Sequence, residues 1–297
     1  MTAKEQGFLL MTSPLGDPDR KVLSPAQFRV LARRVREGLR PREDRSLTEA
    51  DLIGLGYAPE QARQILDLLS GQDLLEHYLR RGHRQGCVPL TRISEDYPMA
   101  VHNRLRDDAP GSVWAKGDLA LLRLPAISLA GSRDIRPSNR AFAWEVGRQA
   151  ALQGLVLVSG NARGADQAAQ QGCLDAGGQV IAVVADRLDQ QKPDRNILYL
   201  SEDGFDLPFS AQRALSRNRL IHCMGLRTFI AQCDYQHGGT WDGTAKNLRH
   251  GWSPVYCYDD GSPAVQVLTD MGASPVDLQA LADFSSLPLP FRGLFDT

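Results

Sequence analysis

The segment that decides the fold class is Ala126-Ile127-Ser128-Leu129-Ala130-Gly131-Ser132-Arg133, a short apolar run that ends at a glycine. Such a run, closed by a turn signal, is typical of a β-strand buried on both faces. A helical pattern follows over residues 138–152, with Phe142 and Val146 on its apolar face, and residues 155–158 form a second apolar run. Strand, helix and strand in this order predict parallel strands joined by a crossover helix.

The same alternation continues to residue 258. Further strands are predicted over residues 180–184, 227–231 and 255–258, and further helices over residues 164–176 and 211–222. Residues 238–244 are predicted as a glycine-rich loop that leads into a helix ending at His250. We therefore predict an α/β protein with a doubly wound, mostly parallel sheet.

The N-terminal part of the chain has a different pattern. Residues 1–20 are polar and contain turn-forming prolines and a glycine, which predicts a loose lead-in. Ser24-Pro25 is a typical helix entry, and apolar residues at helical spacing continue from there to residue 81. The predicted organisation is a small helical domain over residues 1–85 and an α/β domain over residues 86–297.

Composition excludes several classes of protein. The 297 residues are 42% hydrophobic and 23% charged, which is typical of a folded protein. Lys and Arg number 34 and Asp and Glu 35, so a uniformly basic surface is excluded, whereas a local basic patch is not. Residues 20–45 form such a patch, with nine Lys or Arg against three Asp or Glu.

The sequence predicts a cytoplasmic location. It has neither an apolar stretch of about 18 residues nor a secretory signal. The five cysteines are scattered without a CxxC pair, which is typical of buried thiols in a reducing compartment.

Three predicted loops after strands share one chemical character. They are residues 131–133, 159–164 and 237–244, rich in glycine, Ser and Thr and carrying Arg133 and Arg163. The carboxyl ends of parallel strands lie on one edge of a sheet, where ligands bind. Backbone N–H groups, hydroxyls and guanidinium groups at such an edge suit an anionic ligand. The alternative is that the glycines merely form tight turns.

A predicted helix adds two further arginines, Arg217 and Arg219, around Asn218. Positions two apart on a helix diverge by about 200°, so one guanidinium can face the ligand while the other holds the structure or a carboxylate. The alternative is a solvated helix face. The predicted phosphate-binding residues are Gly131, Ser132, Arg133, Ser159, Gly160, Asn161, Arg163, Gly164, Arg217, Asn218, Arg219, Gly239, Thr240, Gly243, Thr244 and Lys246.

No catalytic residue, metal or cofactor is predicted. The dinucleotide motif GxGxxG, the P-loop motif GxxxxGK(S/T) and the nucleophile motif GxSxG are absent. Cys233 and His237, with His222 and Cys223, match no standard zinc spacing. Asp166, two residues beyond Gly164, is predicted to cap a helix rather than to transfer protons.

Several of these segments together resemble one family, the DprA/Smf proteins (DNA-processing protein A). Residues 159–166 are similar to its SGxARGID signature and residues 217–221 to its RNRII segment. Residues 131–133 match its first-strand loop. Its lead-in to the sheet is similar to residues 87–90, 96–98 and 110–117, and its SAM or helix-hairpin-helix domain to the helical module around residues 55–57.

The resemblance implies an extended Rossmann-like domain that binds single-stranded DNA and forms a homodimer. It further implies help in loading the RecA recombinase during recombination or natural transformation, with no catalytic activity and no membrane. The chain ends at Thr297, too soon for the family's winged helix, and residues 239–245 depart from its GSLxTA loop, so a divergent member is predicted. Such members also resemble antitoxins of phosphoribosyltransferase-like toxins in phage defence.

Two other functions stay open at this stage. Residues 238–244 share glycines and a threonine with the PGGxGTxxE loop of LOG-type nucleoside-monophosphate phosphoribohydrolases. Asn247 stands at the downstream position instead of the catalytic Glu, and Asp242 is the nearby carboxylate. The third interpretation is an interaction protein that docks through the basic residues 20–45.

Overall fold

The computed structural model describes residues 1–17, 19–39, 46–202 and 204–289. The helices are α1 Ala3–Thr12, α2 Pro25–Gly38, α3 Glu49–Gly54, α4 Pro59–Leu69, α5 Gln72–Arg84, α6 Met99–Leu105, α7 Pro137–Leu152, α8 Ala165–Asp175, α9 Ala211–Met224, α10 Gly238–His250 and α11 Pro263–Asp270. The strands are β1 Val88–Thr91, β2 Ser112–Lys116, β3 Ala126–Ala130, β4 Val156–Ser159, β5 Val180–Val184, β6 Ile197–Glu202, β7 Thr228–Ile230, β8 Val255–Tyr258 and β9 Ser274–Val276.

The nine strands form one sheet in the order β1-β2-β6-β5-β4-β3-β7-β8-β9. All neighbours from β6 to β9 pair in parallel, and β1 and β2 add two antiparallel strands at one edge. The chain winds outward from β3 to β6 and then returns through α9 to β7. The prediction of an extended Rossmann-like, doubly wound α/β fold is confirmed, and its switch point lies between β3 and β7.

Helices cover both faces of this sheet because the side chains of each strand alternate between the faces. Ile127 and Leu129 of β3 belong to the core under α7 and α8. Ser128 points the other way and donates a hydrogen bond to the carbonyl of Ile221 in α9. The sheet is therefore the middle of three layers, with α8 on one side and α9 on the other.

The lead-in prediction for residues 1–20 is wrong for α1. Thr2 and Glu5 form a capping box that starts this helix. Leu9 and Leu10 are fully buried in the same cluster as Tyr78 of α5 and Trp114 of β2. Because these residues are shared with the main core, α1 is folded against the sheet.

The helices α2, α3 and α4 pack around a second, separate cluster that contains Phe28, Leu31, Leu52 and Ile65. The division of the chain at residues 85 and 86 stays a prediction, since α1 and α5 contact the α/β part as well as the helical part. Residues 40–45 of the predicted basic patch lie outside the described residues.

Tertiary packing explains where other predictions fail. The sequence prediction has no strand at β6 because a short 3-10 turn, Leu188–Gln190, replaces the crossover helix between β5 and β6. The predicted loop at residues 238–244 is wrong, since α10 begins at Gly238. Trp241 and Leu248 pack against the apolar cluster under β8, and this burial overrides the low helix propensity of glycine.

All five cysteines are buried and free of disulfides, as the sequence predicts. Over the described ranges, no helix is both long and apolar enough to cross a membrane.

Candidate functional site

The loops after β3 and β4 are in direct contact at the carboxyl edge. Gly164 adopts φ +86°, and a Cβ at this position would lie 2.5 Å from the carbonyl oxygens of both Ser132 and Arg133. The Ala165 N–H donates to the Ser132 carbonyl at 3.1 Å. Only glycine has the conformational freedom and the space for this approach. As a result, Arg133 and Arg163 are carried on adjacent backbone segments.

Both of these arginines present their side chains to solvent. Neither guanidinium forms an ion pair or a side-chain hydrogen bond with a residue of the described ranges. The Arg133 guanidinium lies 5.4 Å from the ring centre of Phe209, just before α9. Phe209 is 53% exposed, which is unusual for a large apolar side chain. An exposed cation over an exposed ring can bind a phosphate and a planar group side by side.

Sequence reasoning missed Phe209. A signal was present, because this apolar residue stands directly before Ser210, whose side chain caps α9 by accepting from the Arg213 N–H. A residue at that position flanks the start of a helix whose amino end faces the sheet's carboxyl edge. We call Ser132, Arg133, Asn161, Arg163 and Phe209 the carboxyl-edge patch.

The backbone N–H groups of the loop after β4 are occupied from within the protein. Asn161 adopts φ +57°, and the Ala162 N–H donates to the Asp166 carboxylate at 3.1 Å. Burial raises the pKa of Asp166, while Arg217, the N–H groups of Ala162 and Gly160, and Arg133 oppose this shift. The prediction that Asp166 caps the helix is wrong, because α8 starts after Gly164 without a side-chain cap. The Asp166 carboxylate instead binds the backbone of the preceding loop.

Two other residues of the same loop are also internal. Ser159 is fully buried, and its hydroxyl accepts a hydrogen bond of 2.6 Å from Gln170. Gly160 is buried under the Arg217 side chain, which occupies the space that a Cβ would need. Neither residue presents a donor to a ligand at the surface.

The two arginines of α9 are held inside the protein. Arg217 is 6% exposed and donates to the Val183 carbonyl at 2.7 Å. Burial lowers the pKa of Arg217, and the nearby Asp166 carboxylate opposes this shift. Arg219 forms an ion pair with Glu202 and donates to the Asp108 carbonyl at 2.9 Å. The structure thus gives both side chains internal partners and does not place them in the carboxyl-edge patch.

The predicted residues of the third loop lie in the first turns of α10. Asn218 donates to the Gly239 carbonyl at 2.9 Å, and Gly243 packs against Asn218. Thr244 is fully buried and donates to the Thr240 carbonyl at 2.7 Å. Lys246, which is half exposed, pairs with Asp242 at 2.8 Å. These contacts secure α10 to α9, so this segment is a helix end rather than a loop of free donors.

The loop after β3 also contacts the segment after β7, across the switch point. The Ser132 N–H donates to the Gln232 carbonyl at 2.9 Å, and the Gln232 side chain accepts from the Arg136 N–H at 2.9 Å. Gly131 lies between Ala165 and Ala231, where a Cβ would meet both. All four predicted segments are therefore joined at one edge, and the carboxyl-edge patch is its solvent-facing part.

Comparison with known proteins identifies relatives of this chain. A family model described as DNA recombination-mediator protein A matches residues 89–260. DNA processing protein DprA of Streptococcus pneumoniae is 39% identical over 93 residues, which are 30% of this chain and 31% of that protein. The aligned region therefore spans about a third of the curated relative.

Solved structures show the same fold. The structure of DprA from Streptococcus pneumoniae has a TM-score of 0.72 at 23% identity and covers 96% of this chain and 99% of its own. DNA processing protein A from Helicobacter pylori, whose structure concerns its single-stranded DNA binding mode, has a TM-score of 0.56 at 23% identity over 66% of this chain and 94% of its own. Because the family model matches more than half of the 297 residues, this chain belongs to the DNA recombination-mediator protein A family.

Proposed function

We propose that this chain binds single-stranded DNA at the carboxyl-edge patch and acts as a recombination mediator. The observation that carries the proposal is the pair of exposed arginines, Arg133 and Arg163, on touching loops beside the exposed ring of Phe209. Guanidinium groups bind phosphates, and an aromatic face stacks on any base, so the patch suits a strand of any sequence. The Helicobacter pylori relative binds single-stranded DNA, which supports the same ligand here.

The net charge of the protein indicates that DNA binding depends on local contacts and on the salt concentration. The chain has a formal net charge of −1, so attraction of DNA depends on the local patch. Binding through a few guanidinium–phosphate contacts is salt-sensitive, with a slope of about −0.7 in log affinity against log salt for each phosphate of a single strand. We expect measurable affinity at low salt that falls steeply as salt increases.

The experiment compares the wild type with the double variant Arg133→Gln, Arg163→Gln in titrations of a labelled oligothymidylate. We expect an affinity loss of at least about tenfold and a salt slope that is smaller by about 1.4, because two phosphate contacts are removed. The matched control is Arg63→Gln, Arg195→Gln, which removes two exposed arginines from the helical part and from the opposite edge of the sheet. Equal affinity of the wild type and the edge variant would contradict the proposal.

The finer roles are part of the same proposal. We propose that the chain forms a homodimer through its α/β part, acts in the cytoplasm without catalysis, and helps to load a RecA recombinase. A phosphoribosyltransferase-like toxin is the other partner to test. Sedimentation velocity measures the dimer, and RecA filament assembly on protein-coated single strands measures loading. A monomer at all concentrations, or no acceleration of assembly, contradicts the corresponding role.

The structure does not favour a nucleoside-monophosphate hydrolase. Asp242 forms an ion pair with Lys246, and Asn247 is buried and bonded to Ser253 at 3.0 Å. Both residues have structural partners in α10 or beside it. Release of free base from AMP, abolished in Asp242→Ala, would overturn this assignment.

A further inference from the structure

A second pair of arginines lines a cavity beside the carboxyl-edge patch. The cavity has a volume of about 300 Å³ and lies between α5 and the segments that follow β5 and β6. We call it the α5 groove. It is lined by Arg81, Gln85, Arg187, Asp189, Phe205 and Asp206.

The charges of the α5 groove are unequally accessible. Arg81 pairs with Asp206, and the exposed fractions of their side chains are 41% and 13%. Arg187 pairs with Asp189 at 2.6 Å, with exposed fractions of 43% and 10%. Each carboxylate is therefore covered, while each guanidinium faces the groove with N–H groups that its partner does not use. The groove presents positive charge although its formal charges balance.

Aromatic packing fixes one of the two guanidinium groups. The Arg81 guanidinium lies 5.3 Å from the ring centre of Phe205 and 5.2 Å from that of Tyr78, and both rings are buried. The Tyr78 hydroxyl donates to Asp206 at 2.6 Å. A guanidinium held by two rings and a carboxylate loses little side-chain entropy when it binds a ligand.

The α5 groove and the carboxyl-edge patch lie along the same edge of the sheet. Arg187 follows β5, Phe205 and Asp206 follow β6, and the same segment continues to Phe209 of the patch. The strands β3, β4, β5 and β6 are successive neighbours. Three strand spacings, about 14 Å, therefore separate the two ends of one edge. A polymer that enters at Arg133 and runs along the edge reaches the groove.

We propose that the α5 groove binds the phosphodiester backbone of the same single strand, so that the helical part of the chain contributes to DNA binding. This inference rests on the proposed function. Two largely covered carboxylates, Asp189 and Asp206, line the groove beside the guanidinium groups, so a free phosphate ion binds weakly there. A phosphate that belongs to a strand already held by the patch is present at high effective concentration and binds without that cost.

The experiment uses the full chain and labelled oligothymidylates at the two ends of the usual site-size range, about 4 and about 16 nucleotides. In Arg187→Gln, which removes one guanidinium from the groove, we expect about a threefold to tenfold loss of affinity for the longer strand and a salt slope that is smaller by about 0.7. The loss for the shorter strand is smaller, because its three phosphate spacings of about 3.4 Å in a stacked strand do not span the edge from the patch to the groove.

A second variant tests the groove without the risk that Arg187→Gln weakens binding by disturbing the fold. Gln85 is exposed and its side chain lines the groove, so Gln85→Glu adds a negative charge there without removing a buried contact. We expect the same selective loss for the longer strand. The matched control is Arg80→Gln on the same helix. The Arg80 side chain is 68% exposed and pairs with Glu76 rather than lining the groove.

The outcomes separate the two proposals. Wild-type binding of both lengths by Arg187→Gln and Gln85→Glu, together with loss in Arg133→Gln, Arg163→Gln, overturns the α5 groove alone. Equal losses for both lengths overturn it as well. If the wild type binds neither strand at low salt, the proposed function fails, and the inference fails with it.

Discussion

The loops after β3 and β4 and the middle of α9 both bring arginines to the carboxyl edge, but they hold them in opposite ways. Arg133 and Arg163 are exposed and have no ion-pair partner among the described residues. Arg217 is buried against Gly160, and Arg219 pairs with Glu202. The exposed pair has its donors available for a ligand, whereas the α9 pair directs terminal guanidinium N–H groups to partners inside the protein. The Nε groups of Arg217 and Arg219 are buried without a partner among the described residues.

The difference shows that arginines at the same edge of the sheet have two roles, one in supporting the structure and one at the surface. A buried guanidinium is costly to desolvate and is kept only where carbonyls or carboxylates satisfy it. Arg217 donates to the Val183 carbonyl, is attracted by the nearby Asp166 carboxylate and packs against Gly160, so it supports the loop that carries Arg163. The α9 arginines form a frame, and the loop arginines lie on it as the proposed binding surface. Each prediction below tests one side of this comparison.

The largest effect is expected for the buried side. Arg217→Met removes the positive charge beside the buried Asp166 carboxylate and the side-chain donor to the Val183 carbonyl. We therefore expect the free energy of unfolding to fall by about 3 kcal/mol. Urea denaturation measures it. Adding Asp166→Asn removes the unpaired charge and should restore part of the loss. A decrease below about 1 kcal/mol would show that Arg217 does not hold the frame.

The second-largest effect is expected for the contact between the loops after β3 and β4. In Gly164→Ala, a Cβ must adopt positive φ and meet two carbonyl oxygens at 2.5 Å, so we expect about 2 kcal/mol of destabilisation and weaker DNA binding. Gly154→Ala is the control, because Gly154 has φ +70° with no atom within 4 Å of its Cβ position. Equal losses of stability in both variants would mean that the contact does not matter.

The third prediction concerns His222, a buried residue of α9, and the pH dependence of stability. His222 is fully buried, accepts from Asn247 through its Nδ1 at 3.1 Å, and burial lowers its pKa to about 4. The unfolded chain binds the proton at about pH 6.5 and the folded chain only near pH 4, so stability falls as the pH decreases through this window. We expect a loss of about 1 kcal/mol between about pH 7.5 and about pH 5.5.

His222→Gln keeps a hydrogen-bond acceptor but does not titrate, so it isolates this contribution. Chemical denaturation at the two pH values should give a smaller difference for the variant than for the wild type. The raised pKa of Asp166 acts in the opposite direction and is common to both proteins. An identical pH dependence of wild type and variant would exclude His222 as its source.

The smallest effect on stability is expected for the exposed side. Arg133→Gln, Arg163→Gln should change the free energy of unfolding by less than about 0.5 kcal/mol, since surface substitutions without buried contacts cost little. Thermal denaturation measures this change beside the DNA titration. A large loss of stability would place these arginines in the frame and remove the contrast with α9.

The strands that end at the carboxyl edge could be predicted from the pattern of apolar residues within each strand. The apolar runs at β3, β5 and β8 gave strands whose bounds agree with the structure, because a buried strand is recognisable from its own residues. In contrast, α10 and β6 depend on packing partners outside their own segments, namely the cluster under β8 and the strands β2 and β5.

For the candidate site, the sequence shows which residue types are present, but it does not show which of their side chains are buried. Arginine in a loop and arginine in a helix have the same chemistry, and periodicity shows only that Arg217 and Arg219 point apart. Phe209 became visible as a partner of Arg133 only once α9 was placed against the sheet.

By itself, the sequence determined the alternation of strands and helices, the edge on which the glycine-rich segments lie, and the family motifs at positions 159–166 and 217–221. Only the tertiary structure decided that Asp166 fills the backbone N–H groups of its loop, that two arginines are internal, and that α5 closes a second cationic groove. The reason is physical: chain connectivity and periodicity are local, whereas desolvation depends on every segment that covers a side chain.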